Sequence, residues 1–163
     1  MSRTIEEILA AARARLDRPG PARAAALAEH GAYLVDTRPA WQRERYGTIP
    51  GAIWIERNHI EWRLDPTSDA RIPEATDHEV QWVLFCAEGF SSSLAAASLQ
   101  DLGLHRATDI DGGFAAWEAA GLPTTSPSPG ATPEGPGGSA RHVCGEVAGH
   151  EPAQLVDDDV AVQ

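Results

Sequence analysis

Short apolar runs alternate with helical patterns along most of the chain. The clearest run is 80–85, "VQWVLF", whose six mostly apolar residues carry no helical period and predict a buried strand. Shorter runs at 32–36 ("AYLVD"), 52–55 ("AIWI") and 107–110 ("ATDI") predict three further strands. Strands that alternate with helices are typical of a parallel sheet with helices on both faces. We therefore expect an α/β fold built on a small parallel sheet flanked by helices on both faces.

Capping signals mark two helices near the N-terminus. Thr4 is followed three residues later by Glu7, which is the capping-box spacing, and apolar residues follow at roughly helical intervals. Pro21 is a favourable first residue for a second helix, and Gly31 is a suitable residue just after its end. These signals predict two helices before the first strand.

Three further helices are predicted after the second strand. The segment 91–103, "SSSLAAASLQDLG", has serine available as N-cap and glycine as its stop, and 112–123 predicts a last helix closed by glycine and proline. A short helix is predicted within 58–66, "NHIEWRLDP". The segment 37–51, "TRPAWQRERYGTIPG", is predicted to be a polar loop.

Composition restricts the classes of partner and chemistry. Of the 163 residues 42% are hydrophobic, enough for a core, while the net charge of −11 argues against nucleic acid or an anionic membrane as a partner. All 13 basic residues are arginine, which excludes lysine catalysis. No apolar stretch approaches the roughly 18–20 residues of a membrane span, and the N-terminus lacks an apolar signal core. A cytoplasmic protein is expected.

The chain divides into three parts by composition. Residues 1–20 are expected to form an N-terminal helical extension, and 21–123 a single globular domain. Residues 124–163 are rich in proline, glycine and serine, lack aromatic residues and end in an acidic stretch. Such a segment cannot bury enough apolar surface to order itself, so we expect a disordered tail.

One of the two cysteines, Cys86, lies between the clearest strand and the alanine-rich helix. Ligands bind at the carboxyl ends of the strands in an open parallel sheet, and Cys86 is at such an end. Backbone N–H groups in a turn that Gly89 permits, and at the start of the helix, would stabilise a thiolate. The serines at 91–93 can cap the helix and donate to the same pocket. A buried cysteine that only fills space is the alternative.

Four separated motifs together resemble the rhodanese-like domain family, over about residues 20–123. An Asp-x-Arg and a Gly-x-Ile-Pro-Gly-Ala come first, a Cys-x-x-Gly-x-x-Ser loop carries the family's nucleophile, and a Gly-Gly-x-x-x-Trp closes the domain. Here they are Asp36 with Arg38, 47–52, 86–92, and Gly112 and Gly113 with Trp117. The agreement of four motifs in order and spacing makes the resemblance specific, and the single-domain thiosulfate sulfurtransferases look most similar.

The resemblance implies a sulfurtransferase and a set of site residues. The thiolate of Cys86 would attack the outer sulfur of thiosulfate or of a persulfide donor, and cyanide or a thiol would then take the sulfur from the Cys86 persulfide. The loop implied to bind the substrate comprises Ala87, Glu88, Gly89, Phe90, Ser91 and Ser92. The supporting residues are Asp36 and Arg38, expected to form a structural ion pair at the pocket, and Arg63.

The implied partners are a small-molecule sulfur donor and acceptor, with a protein thiol as a further acceptor. No cofactor and no metal is implied. The segment that holds Arg57 and Arg63 is interpreted as a solvated short helix, and the alternative is that one of these arginines reaches over the loop and attracts an anionic donor.

Two positions depart from the family pattern. Thr48 stands where family members often have histidine, and we interpret this position as structural. Glu88 places a carboxylate inside the loop, which is unfavourable near an anionic donor unless the side chain points to solvent. A persulfide donor is therefore an alternative to thiosulfate.

Other functions remain open at this point. Related phosphatases and arsenate reductases share the fold, but a phosphatase needs Cys-x5-Arg, and here Ser92 occupies the arginine position. A non-catalytic binding or regulatory module and a carrier that hands persulfide sulfur to a partner enzyme are further alternatives.

The second cysteine, Cys144, stands two positions after His142 in the expected tail. It could resolve a Cys86 persulfide or, with His142 and His150, bind metal, although no four-ligand zinc spacing is present.

Overall fold

A four-stranded parallel sheet forms the centre of the molecule in the computed structural model, which describes residues 1–127. The strands are β1 (Tyr33–Asp36), β2 (Ile53–Trp54), β3 (Trp82–Phe85) and β4 (Thr108–Asp109). Their order in the sheet is β2-β1-β3-β4, and all three neighbouring pairs are parallel. The expected parallel α/β sheet is confirmed, with each strand one or two residues shorter than the apolar run that predicts it.

Helices cover both faces of this sheet, as the alternating pattern predicts. The helices are α1 (Ile5–Arg13), α2 (Pro21–Glu29), α3 (Ala40–Tyr46), α4 (Ile60–Leu64), α5 (Ser91–Asp101) and α6 (Gly113–Ala119). On one face of the sheet lie α4 and α5, and on the other α2 and α6, while α1 packs against α5. A 3-10 turn, Arg57–His59, leads into α4.

The two central strands supply both hydrophobic cores. Side chains alternate between the faces of a strand, so Val35 and Leu84 pack against α4 and α5, whereas Leu34 and Val83 pack against α2 and α6. All four residues of β3 are buried. A strand buried on both faces must be apolar throughout, which explains why 80–85 shows no polar alternation.

The prediction of a polar loop over 37–51 is wrong in its central part, where α3 forms. Pro39 lies just before this helix in an extended conformation, and Gly47 ends it with a φ of 77°. None of the seven residues of α3 is buried. The helix therefore lacks the apolar stripe by which an amphipathic helix is detected in a sequence.

The capping predictions have two different outcomes. Thr4 and Glu7 form the expected capping box of α1, each side chain accepting a hydrogen bond from the other residue's backbone N–H. The expected serine cap of α5 is wrong, because Phe90 is the N-cap residue and no side chain caps this helix. The hydroxyl groups of Ser92 and Ser93 instead donate to a buried carboxylate.

Most of the expected tail, 128–163, lies outside the described residues, as do Cys144 and the two histidines near it. Within residues 1–127, no helix is long and apolar enough to cross a membrane.

Candidate functional site

The candidate site lies where the two central strands end. Asp36 at the end of β1 is paired in register with Phe85 at the end of β3, and Cys86 directly follows. The backbone N–H and the hydroxyl group of Thr37 both donate to the carbonyl oxygen of Phe85, at 3.0 Å each. The carboxyl edge of the sheet therefore presents Cys86 at the point where ligands bind in parallel α/β folds.

The first turn of α6 packs against the loop that follows Cys86 and forms hydrogen bonds to its backbone. The N–H groups of Phe114 and Ala115 donate to the carbonyl oxygens of Cys86 and Ala87, both at 2.9 Å. This close approach requires Gly113, because a Cβ there would lie 2.6 Å from the carbonyl oxygen of Cys86. Two loop carbonyls are thereby turned away from the pocket.

The sulfur of Cys86 is buried, with 2% of the residue's surface exposed, and lies among polar groups. The backbone N–H of Gly89 donates to Sγ at 3.2 Å, across a turn in which Gly89 has a φ of 82°. The thiol in turn donates to the hydroxyl oxygen of Ser92 at 3.3 Å. The N–H of Gly89 and the start of the 11-residue helix α5 both place positive electrostatic potential at the sulfur.

A buried carboxylate, Asp109, lies behind the sulfur. Its Oδ2 atom accepts hydrogen bonds from Ser92 at 2.9 Å and from Ser93 at 2.7 Å. Burial raises the pKa of Asp109 above its usual value, while the serine hydroxyl groups and the guanidinium of Arg18 act in the opposite direction. Cys86 is therefore linked through Ser92 to a carboxyl group that accepts a proton more readily than an exposed aspartate.

Two arginines from the N-terminal segment bind the carbonyl oxygen of Gly89. Arg13, the last residue of α1, donates at 2.7 Å and lies over the ring of Phe90, with its Cζ atom 5.2 Å from the ring centroid. Arg18 donates at 3.2 Å and also pairs with Asp109 through Nε at 3.1 Å. A third loop carbonyl is thus turned outward, and two positive charges lie next to the loop.

Asp36 and Arg38 form the expected ion pair beside the loop. The guanidinium contacts both carboxylate oxygens, at 2.7 and 3.0 Å, and both side chains are almost completely buried. It also lies 4.0 Å from the ring centroid of Phe114 and donates to the carbonyl oxygen of Gly47 at 2.8 Å. Thr48 donates to Asp36 at 2.6 Å, so the position where family members often have histidine contacts this ion pair.

The structure brings together most of the predicted loop. Ala87, Glu88 and Ser91 are partly exposed, Phe90 is exposed at 37%, and Gly89 and Ser92 are buried. The partial exposure of Glu88 leaves its carboxylate in contact with water, which weakens its repulsion of an anion.

Arg57 and Arg63 make their hydrogen bonds away from the loop. Arg57 pairs with Glu61 at 2.9 Å, and Arg63 donates to the carbonyl oxygen of Ala70 at 2.8 Å. Neither contact supports the expectation that one of these arginines reaches over the loop. The cations that do contact the loop, Arg13 and Arg18, lie more than 70 positions before it in the chain.

Sequence patterns miss Arg13, Arg18 and Asp109 as site residues. The two arginines reach the loop only through tertiary packing of α1 on α5, for which the chain carries no local signal. Asp109 does carry one, because it is a carboxylate at the end of β4, the strand beside β3. Polar residues at the ends of adjacent parallel strands meet at one edge of the sheet.

Comparison with known proteins identifies the family. The model of the rhodanese-like domain family matches residues 20–120 of the chain. Thiosulfate sulfurtransferase GlpE of Pseudomonas savastanoi pv. phaseolicola is 36% identical over 99 residues, which are 61% of this chain and 84% of that protein.

Two solved structures are similar to this chain in fold. A Rhodopseudomonas palustris protein of unknown function, described as a possible tyrosine phosphatase, superposes with a TM-score of 0.69 at 35% identity, covering 77% of this chain and 96% of that one. A thiosulfate sulfurtransferase from Pseudomonas aeruginosa superposes with a TM-score of 0.54 at 28% identity, covering 68% of this chain and 19% of that one. With the family match extending over most of the folded part, this chain belongs to the rhodanese-like domain family.

Proposed function

We propose that this protein is a rhodanese-type sulfurtransferase that moves a sulfane sulfur through a persulfide on Cys86. The donor is thiosulfate or a persulfide, and the acceptor is cyanide or a thiol, which includes a thiol on another protein. Three of the similar proteins are named as thiosulfate sulfurtransferases.

The environment of the Cys86 sulfur is the observation that carries this proposal. The N–H of Gly89 donates to Sγ, while the carbonyl oxygens of Cys86, Ala87 and Gly89 are bonded to groups outside the loop. A loop whose carbonyls point outward can direct its N–H groups inward, where they stabilise negative charge. Such a cradle suits a thiolate, and equally the terminal sulfur of a persulfide anion.

Sulfur transfer then proceeds in two balanced steps. The Cys86 thiolate attacks the outer sulfur of thiosulfate, so that a sulfur–sulfur bond to Sγ forms as the bond to the sulfonate sulfur breaks, and sulfite leaves with the bonding pair. Cyanide next attacks the outer sulfur of the persulfide, giving thiocyanate and returning the thiolate. The cradle holds the same single negative charge before and after each step, which is the advantage of covalent catalysis here.

The charges around the loop bear on the choice between the proposed donors. Thiosulfate is a dianion, and Glu88 adds a negative charge to the loop, whereas Arg13 and Arg18 bring two positive charges to the carbonyl of Gly89. Arg18 is already paired with Asp109 and Asp111, so Arg13 is the cation that offsets the partly exposed carboxylate of Glu88, and a dianionic donor is acceptable at this site. We place the reaction in the cytoplasm, where a reducing environment keeps a working thiol available.

A phosphatase is the second candidate, because the Rhodopseudomonas palustris protein is described as a possible tyrosine phosphatase. The phosphatase loop needs an arginine six residues after the cysteine, to bind two phosphoryl oxygens. That position is Ser92 here, and its side chain is buried and bonded to Asp109. Sulfur transfer therefore fits this loop better.

Intact mass spectrometry tests the proposal. The protein is incubated with thiosulfate, and we expect a gain of one sulfur atom that cyanide then removes. Cys86→Ala should show no gain, while Cys144→Ala, the matched control for the second cysteine, should behave as the wild type does. An adduct that persists in Cys86→Ala would refute the role of Cys86. Absence of any adduct with thiosulfate and with a persulfide donor would favour a binding module, and turnover of an aryl phosphate would favour the phosphatase.

A further inference from the structure

A continuous hydrogen-bonded chain leads from the nucleophile into the protein. The thiol of Cys86 donates to Oγ of Ser92 at 3.3 Å, and Ser92 donates to Oδ2 of Asp109 at 2.9 Å. All three residues are almost completely buried. Each group in this chain donates to the next, so a proton can shift from every donor to its acceptor in one direction.

We propose that Ser92 and Asp109 form a proton path for Cys86. The thiol proton passes to Oγ of Ser92 as the serine passes its own hydroxyl proton to Oδ2 of Asp109. The products are a thiolate, a hydroxyl group that now donates to it, and a neutral carboxylic acid. No proton leaves the protein, and the net charge of the cluster is unchanged. This inference rests on the proposed function, because it explains how the reactive thiolate is kept.

The neighbouring groups tolerate a neutral Asp109. Ser93, which also donates to Oδ2, has the carbonyl oxygen of Gly89 as a second acceptor at 3.2 Å. Arg18 retains its pair with Asp111 at 3.0 Å and its hydrogen bond to Gly89 when the carboxylate is neutralised. Protonation of Asp109 therefore leaves Arg18 paired, and the negative charge that moves to the buried sulfur is met by the N–H of Gly89 and the hydroxyl group of Ser92.

The charges around Asp109 come from three directions. Arg18 contacts it from the segment after α1, Arg13 approaches through its 3.4 Å hydrogen bond to Ser93, and Cys86 faces it across Ser92. Ionising both the sulfur and the carboxylate would place two negative charges at the ends of one short buried chain. Transfer of the proton avoids this repulsion and leaves one negative charge to meet an anionic donor.

A pH profile of thiolate reactivity tests the path. The full chain carrying Cys144→Ser is alkylated with iodoacetamide, a small neutral reagent, over a range from acidic to alkaline pH. The ultraviolet absorbance of the thiolate gives the same curve without requiring entry of a reagent. For an isolated thiol the rate falls about tenfold for each pH unit below the pKa. If the proton path operates, the alkylation rate stops falling and reaches a plateau in mildly acidic solution, because Asp109 holds the proton while the sulfur stays ionised.

Three variants separate the path from a structural role. Asp109→Asn should lose the plateau, because no group remains to hold the proton. Ser92→Ala should lower the plateau several-fold, since the thiolate loses its donor. Ser93→Ala is the comparison variant: it also removes a hydrogen bond to Oδ2 but does not contact the sulfur. Because Asp109 then holds a proton more readily, the plateau should persist at or above its wild-type height. If Asp109→Asn does not fold, the comparison of Ser92→Ala with Ser93→Ala still tests the proton path.

Two results would overturn the inference. One is a wild-type rate that falls about tenfold per pH unit through the acidic range without a plateau. The other is an equal effect of Ser92→Ala and Ser93→Ala on the profile. The proposed function is judged separately by sulfur loading from thiosulfate. Normal loading without a plateau refutes only the proton path, and a plateau without loading refutes only the sulfurtransferase.

Discussion

The guanidinium of Arg13 donates to the carbonyl oxygen of Gly89 at 2.7 Å. Arg13 belongs to α1, which precedes the part of the chain matched by the family model, 20–120, whereas Gly89 is the turn residue of the nucleophile loop. A helix outside the matched region thus contributes directly to the geometry of the site. It turns a loop carbonyl outward and adds a positive charge near the sulfur.

We expect Arg13→Ala to slow persulfide formation from thiosulfate about ten- to a hundredfold, because a hydrogen bond from a charged group contributes about 1.5–3 kcal/mol. The measurement is the second-order rate of sulfur loading. Arg15→Ala is the control, since Arg15 lies two residues further along and pairs with Asp101 instead. Equal rates for both variants would show that the contact of Arg13 with the loop has no effect on catalysis.

Gly113→Ala should reduce sulfur loading by roughly a hundredfold, because displacement of catalytic groups by about 1 Å costs that much. The added Cβ would lie 2.6 Å from the carbonyl oxygen of Cys86 and 2.7 Å from the N–H nitrogen of Gly89, so the loop must shift. Gly121→Ala has a similar positive φ of 71° but open space around its Cβ. The Gly121→Ala variant should therefore have a free energy of unfolding lower by about 1–2 kcal/mol, and its sulfur loading should be unchanged. Unchanged loading by Gly113→Ala would contradict the close packing of α6 on the loop.

Glu88→Gln should raise kcat/KM for thiosulfate about two- to tenfold, because it removes a negative charge from the loop that receives a dianion. The gain should shrink as salt is added, since this carboxylate is partly exposed and its charge is screened. Glu29→Gln changes the net charge equally at the end of α2 and should have no effect. A gain of the same size in both variants would assign the effect to net charge and not to the loop.

Arg38→Met should destabilise the fold by roughly 3–5 kcal/mol, because it leaves Asp36 charged, buried and without its ion pair. The free energy of unfolding in urea measures this loss. The double variant Asp36→Leu with Arg38→Met removes both charges and should be more stable than Arg38→Met alone. Asp36→Leu alone completes the comparison. If the free-energy losses of the two single variants simply add up to that of the double variant, Asp36 and Arg38 do not stabilise each other as their geometry indicates.

The sheet and the position of the nucleophile could be predicted from sequence because their signals are local. The run 80–85 is apolar throughout, a cysteine follows it, and an alanine-rich segment comes next, so strand, nucleophile and helix are all encoded within about 20 residues. The capping box of α1 is equally local, since Thr4 and Glu7 contact each other within one helical turn.

The parts of the site that could not be predicted depend on tertiary packing. Arg13 and Arg18 look like ordinary polar positions of a terminal helix and its connection, and only the packing of α1 on α5 brings them to Gly89. α3 was missed for a different reason, because a helix without a buried residue has no apolar period to detect. Arg63 was expected at the loop, and its contact with Ala70 depends on how the chain continues after α4.

The location of the transferred sulfur tests the central claim most directly. The chain has no lysine, so cleavage after arginine separates Cys86, in fragment 72–106, from Cys144, in fragment 142–163. The protein is treated with thiosulfate, cleaved without reductant and analysed by mass spectrometry. We predict one additional sulfur on fragment 72–106, which cyanide removes as thiocyanate. Additional sulfur found only on fragment 142–163, or on neither fragment with any sulfur donor, would contradict the assignment of Cys86 as the persulfide-forming nucleophile.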